Sequence, residues 1–167
     1  MASRKASALD FPPGGNAPSD GLYLFRGGLP YQETVGELSV AQVLTYALSD
    51  EDTELVAGTK LTIRMPFECT LLAVRSSVKN ESTAGNVIVD INESLSSGGA
   101  SVLSTKLSID QDERTSVTAA APAIISAPDL DDDAEITFDL DDAGVGASGL
   151  KVYMYVKPTG PIVPTIS

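Results

Sequence analysis

Histidine and tryptophan are absent from this chain, and cysteine occurs once in 167 residues. Without histidine, neither a Ser-His-Asp nor a Cys-His catalytic arrangement can form, and zinc sites of the usual Cys/His kind are excluded as well. One cysteine cannot form an intrachain disulfide. Because Cys69 lies in an apolar segment, we expect it to be a small buried hydrophobe. These absences predict a protein that is not an enzyme and needs no cofactor.

Basic residues are scarce. Lysine and arginine total 11 against 23 acids, which gives a net charge of −12. Binding to phosphates needs clustered basic residues, so we expect no nucleic-acid partner and no membrane partner. The acidity either serves solubility or forms an acidic exterior that leaves the basic residues for a docking surface. Arg4, Lys5 and Arg26 lie in the first 26 residues and favour the second interpretation, but both stay open.

Long apolar runs are also missing. No segment reaches the ~20 residues that a membrane-spanning helix needs, and residues 1–6 lack the apolar stretch of a signal peptide. We therefore expect a chain that is made in a cytoplasm and is not exported by the usual route. A protein that is released by cell lysis would have the same features.

Acidic residues crowd one window near the end of the chain, with no basic residue among them: Asp129, Asp131, Asp132, Asp133, Glu135, Asp139, Asp141 and Asp142. The window lacks the spacing of an EF-hand loop. It also lacks the aromatic platforms of sugar-cleaving sites, since its one ring, Phe138, is predicted to point inward. We expect a solvated acidic rim. Cation binding and carboxylate catalysis stay open as alternatives.

Apolar and polar residues alternate over most of residues 60–157, and this period of two predicts strands with one buried and one wet face. In the segment from Cys69 to Lys79, we expect Leu72, Val74 and Val78 to share the buried face. Shorter strands are predicted near residues 115–119 and 123–126. Residues 35–52 fit either a helix or a strand, and the strand is favoured because the neighbouring segments are strands. About eight strands predict an all-β jelly-roll antiparallel β-sandwich over residues 35–157.

The two ends of the chain differ from this body. Residues 158–167 have proline at every third position, which predicts an extended, unpaired tail. Residues 1–34 are rich in glycine and proline but keep apolar anchors, and we interpret them as an extended arm that orders on a partner. A disordered leader is the open alternative. The predicted docking residues of the arm are Arg4, Lys5, Leu9, Phe11, Leu22, Tyr23, Leu24, Phe25, Arg26 and Tyr31.

Several short segments within residues 44–157 resemble, in order, a β-sandwich module of tailed-bacteriophage structural proteins. They include 58–67 (GTKLTIRMPF), 89–93 (VDINE), 103–110 (LSTKLSID), 132–140 (DDAEITFDL) and 149–152 (GLKV). The compact body and apolar arm resemble a capsid decoration, or cement, protein. That resemblance implies a jelly-roll homotrimer on the outer capsid surface of the virion, bound to the major capsid protein, with arms that bridge neighbouring capsid subunits.

Fibre proteins of the same phages contain similar modules, so a head-fibre or tail adhesin that binds a host surface protein or glycan is the alternative. In that case recognition is expected in loops on the rigid scaffold, here residues 80–85, 94–100 and 143–149. The absence of repeats and of a coiled-coil stem favours the decoration protein over a tail fibre.

Overall fold

The structure is a computed structural model, and it describes residues 22–26, 29–33, 40–94 and 98–159. The chain divides into two compact units, Met1–Leu38 and Ser39–Ser167. In the first unit, β1 (Leu22–Arg26) and β2 (Leu29–Glu33) pair as an antiparallel ribbon, with Leu24 opposite Tyr31. This pairing within the arm was not predicted from the sequence.

The second unit contains eleven described strands and one 3-10 helix (Ser116–Thr118). The longer strands are β3 (Gln42–Ala47), β4 (Gly58–Arg64), β5 (Cys69–Ser77), β6 (Ala84–Glu93), β12 (Glu135–Val145) and β13 (Lys151–Pro158). The shorter strands are β7 (Ala100–Ser101), β8 (Leu103–Thr105), β9 (Leu107–Ile109), β10 (Ile124–Ile125) and β11 (Asp129–Leu130). No helix in the described ranges is both long and apolar enough to cross a membrane.

Nine of these strands form two packed antiparallel sheets, and β8 pairs with β10 as a separate two-stranded sheet. The first has the order β11-β5-β13-β3, and the second the order β4-β12-β6, with both β7 and β9 paired to β6. Four pairs therefore nest inside one another along the chain: β3 with β13, β4 with β12, β5 with β11, and β6 with β9. This nesting is that of a long hairpin rolled into a jelly roll. The predicted all-β fold is confirmed, and so is the antiparallel sandwich.

The core lies between the sheets and consists of the inward residues that the alternation predicts. Ile136, Phe138 and Leu140 of β12 are fully buried or nearly so, and Val152, Met154 and Val156 of β13 are fully buried. Burying one such side chain stabilises the fold by about 1.5–3 kcal/mol. The Tyr46 ring of β3 lies 5.2 Å from the Phe138 ring of β12 and joins the two sheets.

Three local predictions have definite outcomes. The segment left open at residues 35–52 contains the strand β3, so the favoured interpretation is confirmed over 42–47, while residues 34–39 lie outside the described part. The strand predicted near residues 115–119 is wrong. A 3-10 helix begins there, and the Thr115 hydroxyl caps it by accepting a bond from the amide of Val117. The prediction of an unpaired tail from residue 158 starts at least two residues too early, because Pro158 ends β13 opposite Cys69 and the amide of Thr159 donates to the carbonyl of Glu68 at 3.0 Å.

A bulge in β5 overturns the prediction for Leu72. Val156 of β13 lies opposite Leu71, whereas the preceding Tyr155 lies opposite Ala73, so Leu72 is the extra residue. A bulge reverses the phase of the strand that contains it. Cys69 and Leu71 therefore point inward before the bulge, and Leu72 is 49% exposed on the outside. The other two residues predicted to share its face are half-buried (Val74) and buried (Val78).

Candidate interaction surface

The outer side of the first sheet carries a group of apolar and aromatic residues with an arginine among them. We call it the tyrosine face and define it by six residues on β3, β5 and β13: Val43, Leu72, Ala73, Arg75, Tyr153 and Tyr155. Val43 is 51% exposed and Leu72 is 49% exposed. The two tyrosines alternate with the core residues of β13 and therefore lie on the outer side of the sheet. Both are partly buried there. The bulge places Leu72 on this surface. The alternation that Val74 and Val78 follow would bury Leu72 if it continued without a bulge.

Contacts within the tyrosine face hold its side chains in place. Tyr155 lies between Val43 and Ala73 across the sheet, and Tyr153 lies beside Arg75. The Arg75 guanidinium carbon is 5.4 Å from the centroid of the Tyr155 ring, a cation–π distance. The hydroxyl oxygens of Tyr153 and Ser77 are 3.1 Å apart and share a hydrogen bond. The face is therefore a largely preformed surface, which lowers the entropy cost of binding.

Charge separates this face from the rest of the protein. The strands β3, β5 and β13 contain no aspartate or glutamate, and they supply Arg75, Lys151 and Lys157. In a chain of net charge −12, this is a local excess of positive charge. Lys151 is neutralised by an ion pair with Glu51. The central strands of the other sheet, β6 and β12, carry six acids: Asp90, Glu93, Glu135, Asp139, Asp141 and Asp142.

The outer side of the second sheet is a hydrogen-bonded polar surface. Asp139 of β12 accepts bonds from the Thr59 hydroxyl at 2.5 Å and from the Asn92 amide at 2.8 Å, so it links β12 to both neighbouring strands. At one edge, Arg64 of β4 pairs with Glu135 at 3.0 Å. These carboxylates bind other parts of the same sheet, and the surface they form is hydrophilic.

Lys106 is the most strongly held cation of this polar surface. Its ammonium contacts Asp141 at 2.5 Å and Asp90 at 2.9 Å. The hydrogen bond to Asp141 and then that to Asp90 raise the pKa of Lys106 above its ordinary value. Asp90 is 6% exposed and also accepts bonds from the Ser101 hydroxyl and the amide of Ile91. Lys106 therefore compensates a carboxylate that the fold has largely removed from water.

The acidic window is distributed over the sandwich. Asp131, Asp132 and Asp133 occupy an exposed turn. Glu135 pairs with Arg64 of β4, Asp141 pairs with Lys106 between β8 and β9, and Asp142 accepts a bond from the amide of Gly144. Asp129 lies on the other sheet, opposite Thr70. Within the described ranges, no group of three or more His, Cys, Asp or Glu residues is arranged to hold a metal ion. This arrangement gives no support to the cation-binding alternative.

A cavity of about 240 Å³ lies beside the loop that follows β3, lined in part by Leu48, Asp50, Leu55 and Lys60. This volume is smaller than that of a typical small-molecule pocket, roughly 300–1,000 Å³. The Asp50 carboxylate accepts bonds from the amides of Thr53 at 2.6 Å and Asp52 at 3.0 Å. These bonds, led by that from Thr53, lower the pKa of Asp50. Asp50 is thus engaged in shaping its own loop, and Glu54, the other acid that lines the cavity, accepts a bond from the amide of Gly146 at 2.8 Å.

Cys69 is buried, as the sequence predicts. Burial, with a smaller contribution from Glu68, raises the pKa of its thiol to about 11. A thiol with that pKa is almost entirely protonated at neutral pH, and the protonated form is a poor nucleophile. Cys69 therefore behaves as a core side chain.

The predicted docking residues fall into two groups. Arg4, Lys5, Leu9 and Phe11 lie outside the described residues. Leu22, Tyr23, Leu24, Phe25 and Arg26 form β1, and Tyr31 belongs to β2. Because a strand alternates its faces, successive residues of β1 belong to opposite faces of the ribbon. The docking role of all ten residues stays a prediction.

The loops considered for recognition do not form one site. Residues 80–85 and 143–149 meet at one end of the sandwich, where the Asn80 amide donates to the Ser148 hydroxyl at 2.8 Å and the amide of Thr83 to the carbonyl of Val145 at 2.9 Å. The turn that includes Gly99 follows the opposite end of the ten-residue strand β6. Ten residues of strand span about 33 Å, so the three loops cannot converge on one small ligand.

The tyrosine face was not predicted from the sequence. One signal for it was available, namely that acids are missing from QVLTYA, CTLLAVRSS and KVYMYVKP, but β4 and the short strands β7 to β10 lack acids as well. Which of these residues share an outer face depends on strand pairing, and on the bulge at Leu72. Comparison with protein-family models, with curated proteins and with solved structures finds no match to this chain.

Proposed function

We propose that this chain is a structural decoration protein of a tailed-phage virion, which binds the major capsid protein on the outer surface of the head and ties neighbouring capsid subunits together. The single observation that carries the proposal is the contrast between the two outer surfaces of the sandwich. The tyrosine face is acid-free and partly apolar, and Asp129 of β11 is the one acid on the described strands of its sheet; the opposite surface is acidic and hydrogen-bonded within itself. The acid-free strands in an acidic protein fit the docking surface considered in the sequence analysis.

The physics of capsid decoration agrees with this division. A stable protein interface buries on the order of 1,200–2,000 Å², and aromatic residues and arginine are enriched where binding energy is concentrated. Tyr153, Tyr155 and Arg75 supply those residue types on a rigid sheet. A leading segment with apolar anchors adds a second contact, and linked contacts increase avidity. The acidic surface on the other side favours hydration and repels other virions.

Binding to phage heads tests the proposal directly. Purified protein is added to heads that were assembled without it, and bound protein is measured by co-sedimentation and located by electron microscopy. We expect saturable binding to the outer surface. Absence of the protein from heads at any concentration would overturn the proposed function.

A charge-reversal pair tests the docking surface separately. Arg75→Glu places an acid on the tyrosine face, and we expect it to weaken binding to heads by tenfold or more. The matched control Lys60→Glu changes the net charge by the same two units on β4, in the other sheet, and is expected to bind as the unmodified chain does. If the protein decorates heads and the two variants bind equally well, the function stands but the tyrosine face is not the docking surface.

The adhesin alternative has one observation in its favour, the hydrogen-bonded loop cluster of residues 80–85 and 143–149. Its side chains are small and polar, and tight sugar binding usually needs aromatic surfaces. Binding of the isolated protein to host cells, abolished by substitutions in these loops and unaffected by Arg75→Glu, would favour the adhesin.

The homotrimer and the bridging by residues 1–34 are implied by the resemblance to decoration proteins, and both stay proposals. A chain that begins at Ser39 tests the second. If the arm contributes to docking, this shortened chain binds heads more weakly than the full chain does.

A further inference from the structure

Unpaired strand edges are where one β-sheet can continue into another, and most proteins protect them. The two sheets that the described strands of the sandwich form have four edges, and three of them are protected here; the separate pair of β8 and β10 has strands of only three and two residues. The β4 edge carries Lys60 and Arg64, β11 has two residues, and β7 and β9 have two and three. The remaining edge is β3, which has six residues (QVLTYA) without charge, proline or glycine. Among the described residues, β13 is the one strand that pairs with β3.

We propose that β3 pairs with β3 of a second copy of this chain, antiparallel and about a two-fold axis, so that the first sheets of two copies become one continuous sheet. The proposal concerns self-association and does not depend on the proposed function. It is an alternative to the homotrimer that the resemblance implies. When the same strand of two copies pairs about a two-fold axis, neither copy has that edge left for a third.

The side-chain pattern of β3 is compatible with itself. Opposed residues of an antiparallel pair point to the same side of the sheet, so the two-fold axis must pass between two copies of one residue, either Leu44 or Thr45. With the axis at Leu44, Val43 lies opposite Thr45; with the axis at Thr45, Leu44 lies opposite Tyr46. Cross-strand pairs of this kind are favourable, and neither register opposes like charges.

The distribution of charge favours pairing with a second copy at this edge. Two chains of net charge −12 repel each other, so association requires a surface where acids are absent. The strand β3 and the next two strands of its sheet, β13 and β5, contain none. Strands are spaced about 4.8 Å apart, so Arg75 lies roughly 10 Å from the edge and its equivalent in the second copy roughly 25 Å away. At physiological salt the screening length is about 8 Å, so these two cations hardly repel each other.

Pairing would also complete the burial of residues that β3 leaves partly exposed. Leu44 and Tyr46 point toward the core and are partly buried at the edge of the sheet. A second β3 would cover that edge and extend the tyrosine face across both copies. A single strand pair is small compared with a standard interface. We therefore expect a weak dimer whose population rises with protein concentration.

Sedimentation velocity of the full chain over a concentration series tests the proposal. Thr45 is exposed and lies at the axis or next to it in both registers. We expect Thr45→Lys and Thr45→Glu each to abolish the dimer and an equimolar mixture of the two to restore it, because opposite charges then meet across the axis. Thr62→Lys is the matched control, since Thr62 is also an exposed strand threonine, on β4, and its dimer population should be unchanged.

Thermal unfolding by circular dichroism checks that Thr45→Lys remains folded, with a melting temperature close to that of the unmodified chain. A chain that stays monomeric at every concentration would overturn the proposal. So would a trimer, a Thr45→Lys variant that dimerises as well as the unmodified chain, or a mixture of the two Thr45 variants that stays monomeric. None of these measurements uses phage heads, so they are independent of the test of the proposed function.

Discussion

Gly144 is a residue at which the backbone requires glycine for two reasons. Its φ is +60°, and a Cβ added there would lie 2.7 Å from the Ser82 Cβ and 3.2 Å from the Gly85 carbonyl oxygen. The Ser82 hydroxyl cannot withdraw freely, because it accepts from the amide of Val145 at 3.0 Å and donates to the carbonyl of Ala84 at 2.8 Å. The end of β12 is thus packed directly against Ser82, in the loop before β6.

We predict that Gly144→Ala lowers the free energy of unfolding by about 2–4 kcal/mol, the sum of positive-φ strain and overpacking. Urea denaturation monitored by circular dichroism measures it. Gly146→Ala is the matched control, with φ of +76° and its nearest added contact, Thr83 Oγ1, at 3.9 Å. It should cost about 1–2 kcal/mol from strain alone. Equal losses in the two variants would show that contact with Ser82 is unimportant.

Lys106 illustrates how exposure decides the value of an ion pair. We predict that Lys106→Met lowers the free energy of unfolding by about 1–3 kcal/mol, because Asp90 is left buried without its cation. The side chain of Asp90 is 9% exposed, whereas that of Asp52, the partner of Lys79, is 87% exposed. The control Lys79→Met should therefore cost clearly less than Lys106→Met, because exposed ion pairs contribute little to stability. Chemical denaturation of both variants checks the difference, and a larger loss in Lys79→Met would contradict it.

At the scale of elements, β12 is the strand that organises the second sheet, since it pairs with β4 on one side and β6 on the other. Its inner residue Phe138 is fully buried and contacts Tyr46 of the facing sheet. We predict that Phe138→Ala lowers the free energy of unfolding by about 3–5 kcal/mol through the cavity it leaves. Urea denaturation measures the change.

The neighbouring residue provides the control for that prediction. Thr137 lies on the outer side of the same strand, opposite Thr62 and Asn92. Thr137→Ala should cost less than about 1 kcal/mol, because it leaves no buried cavity. If both substitutions cost the same, the strand contributes through its backbone pairing and not through the core.

The elements also show where sequence patterns are sufficient. The alternation in β6, β12 and β13 predicts their buried residues correctly, because each strand is flanked on both sides and keeps one phase over its inner face. It fails at Leu72, because a single bulged residue reverses the phase and no local pattern marks the bulge. It fails again at residues 116–118. These three residues form a 3-10 helix that Thr115 caps, and no neighbouring strand in the described part of the chain pairs with them.

At the scale of the whole molecule, the division at residues 38 and 39 has a testable consequence. The sandwich has its own core, drawn from both of its sheets. We predict that a chain beginning at Ser39 unfolds cooperatively, with a melting temperature within about 4 °C of the full chain, which corresponds to less than ~1 kcal/mol for a domain of this size. Calorimetry checks this. A larger fall, or loss of cooperativity, would show that residues 1–38 contribute to the folded sandwich.

Composition and period alone determined that this protein is an antiparallel β-sandwich without histidine chemistry, because both depend on residue types and on spacing along one strand. The number of strands predicted a jelly roll, but which strands pair follows from contacts between residues far apart in sequence, so only the tertiary structure decided the nesting. The tyrosine face and the unprotected β3 edge were decided there too. Each depends on which strands are neighbours, and strand neighbours in this fold are separated by as many as about a hundred residues.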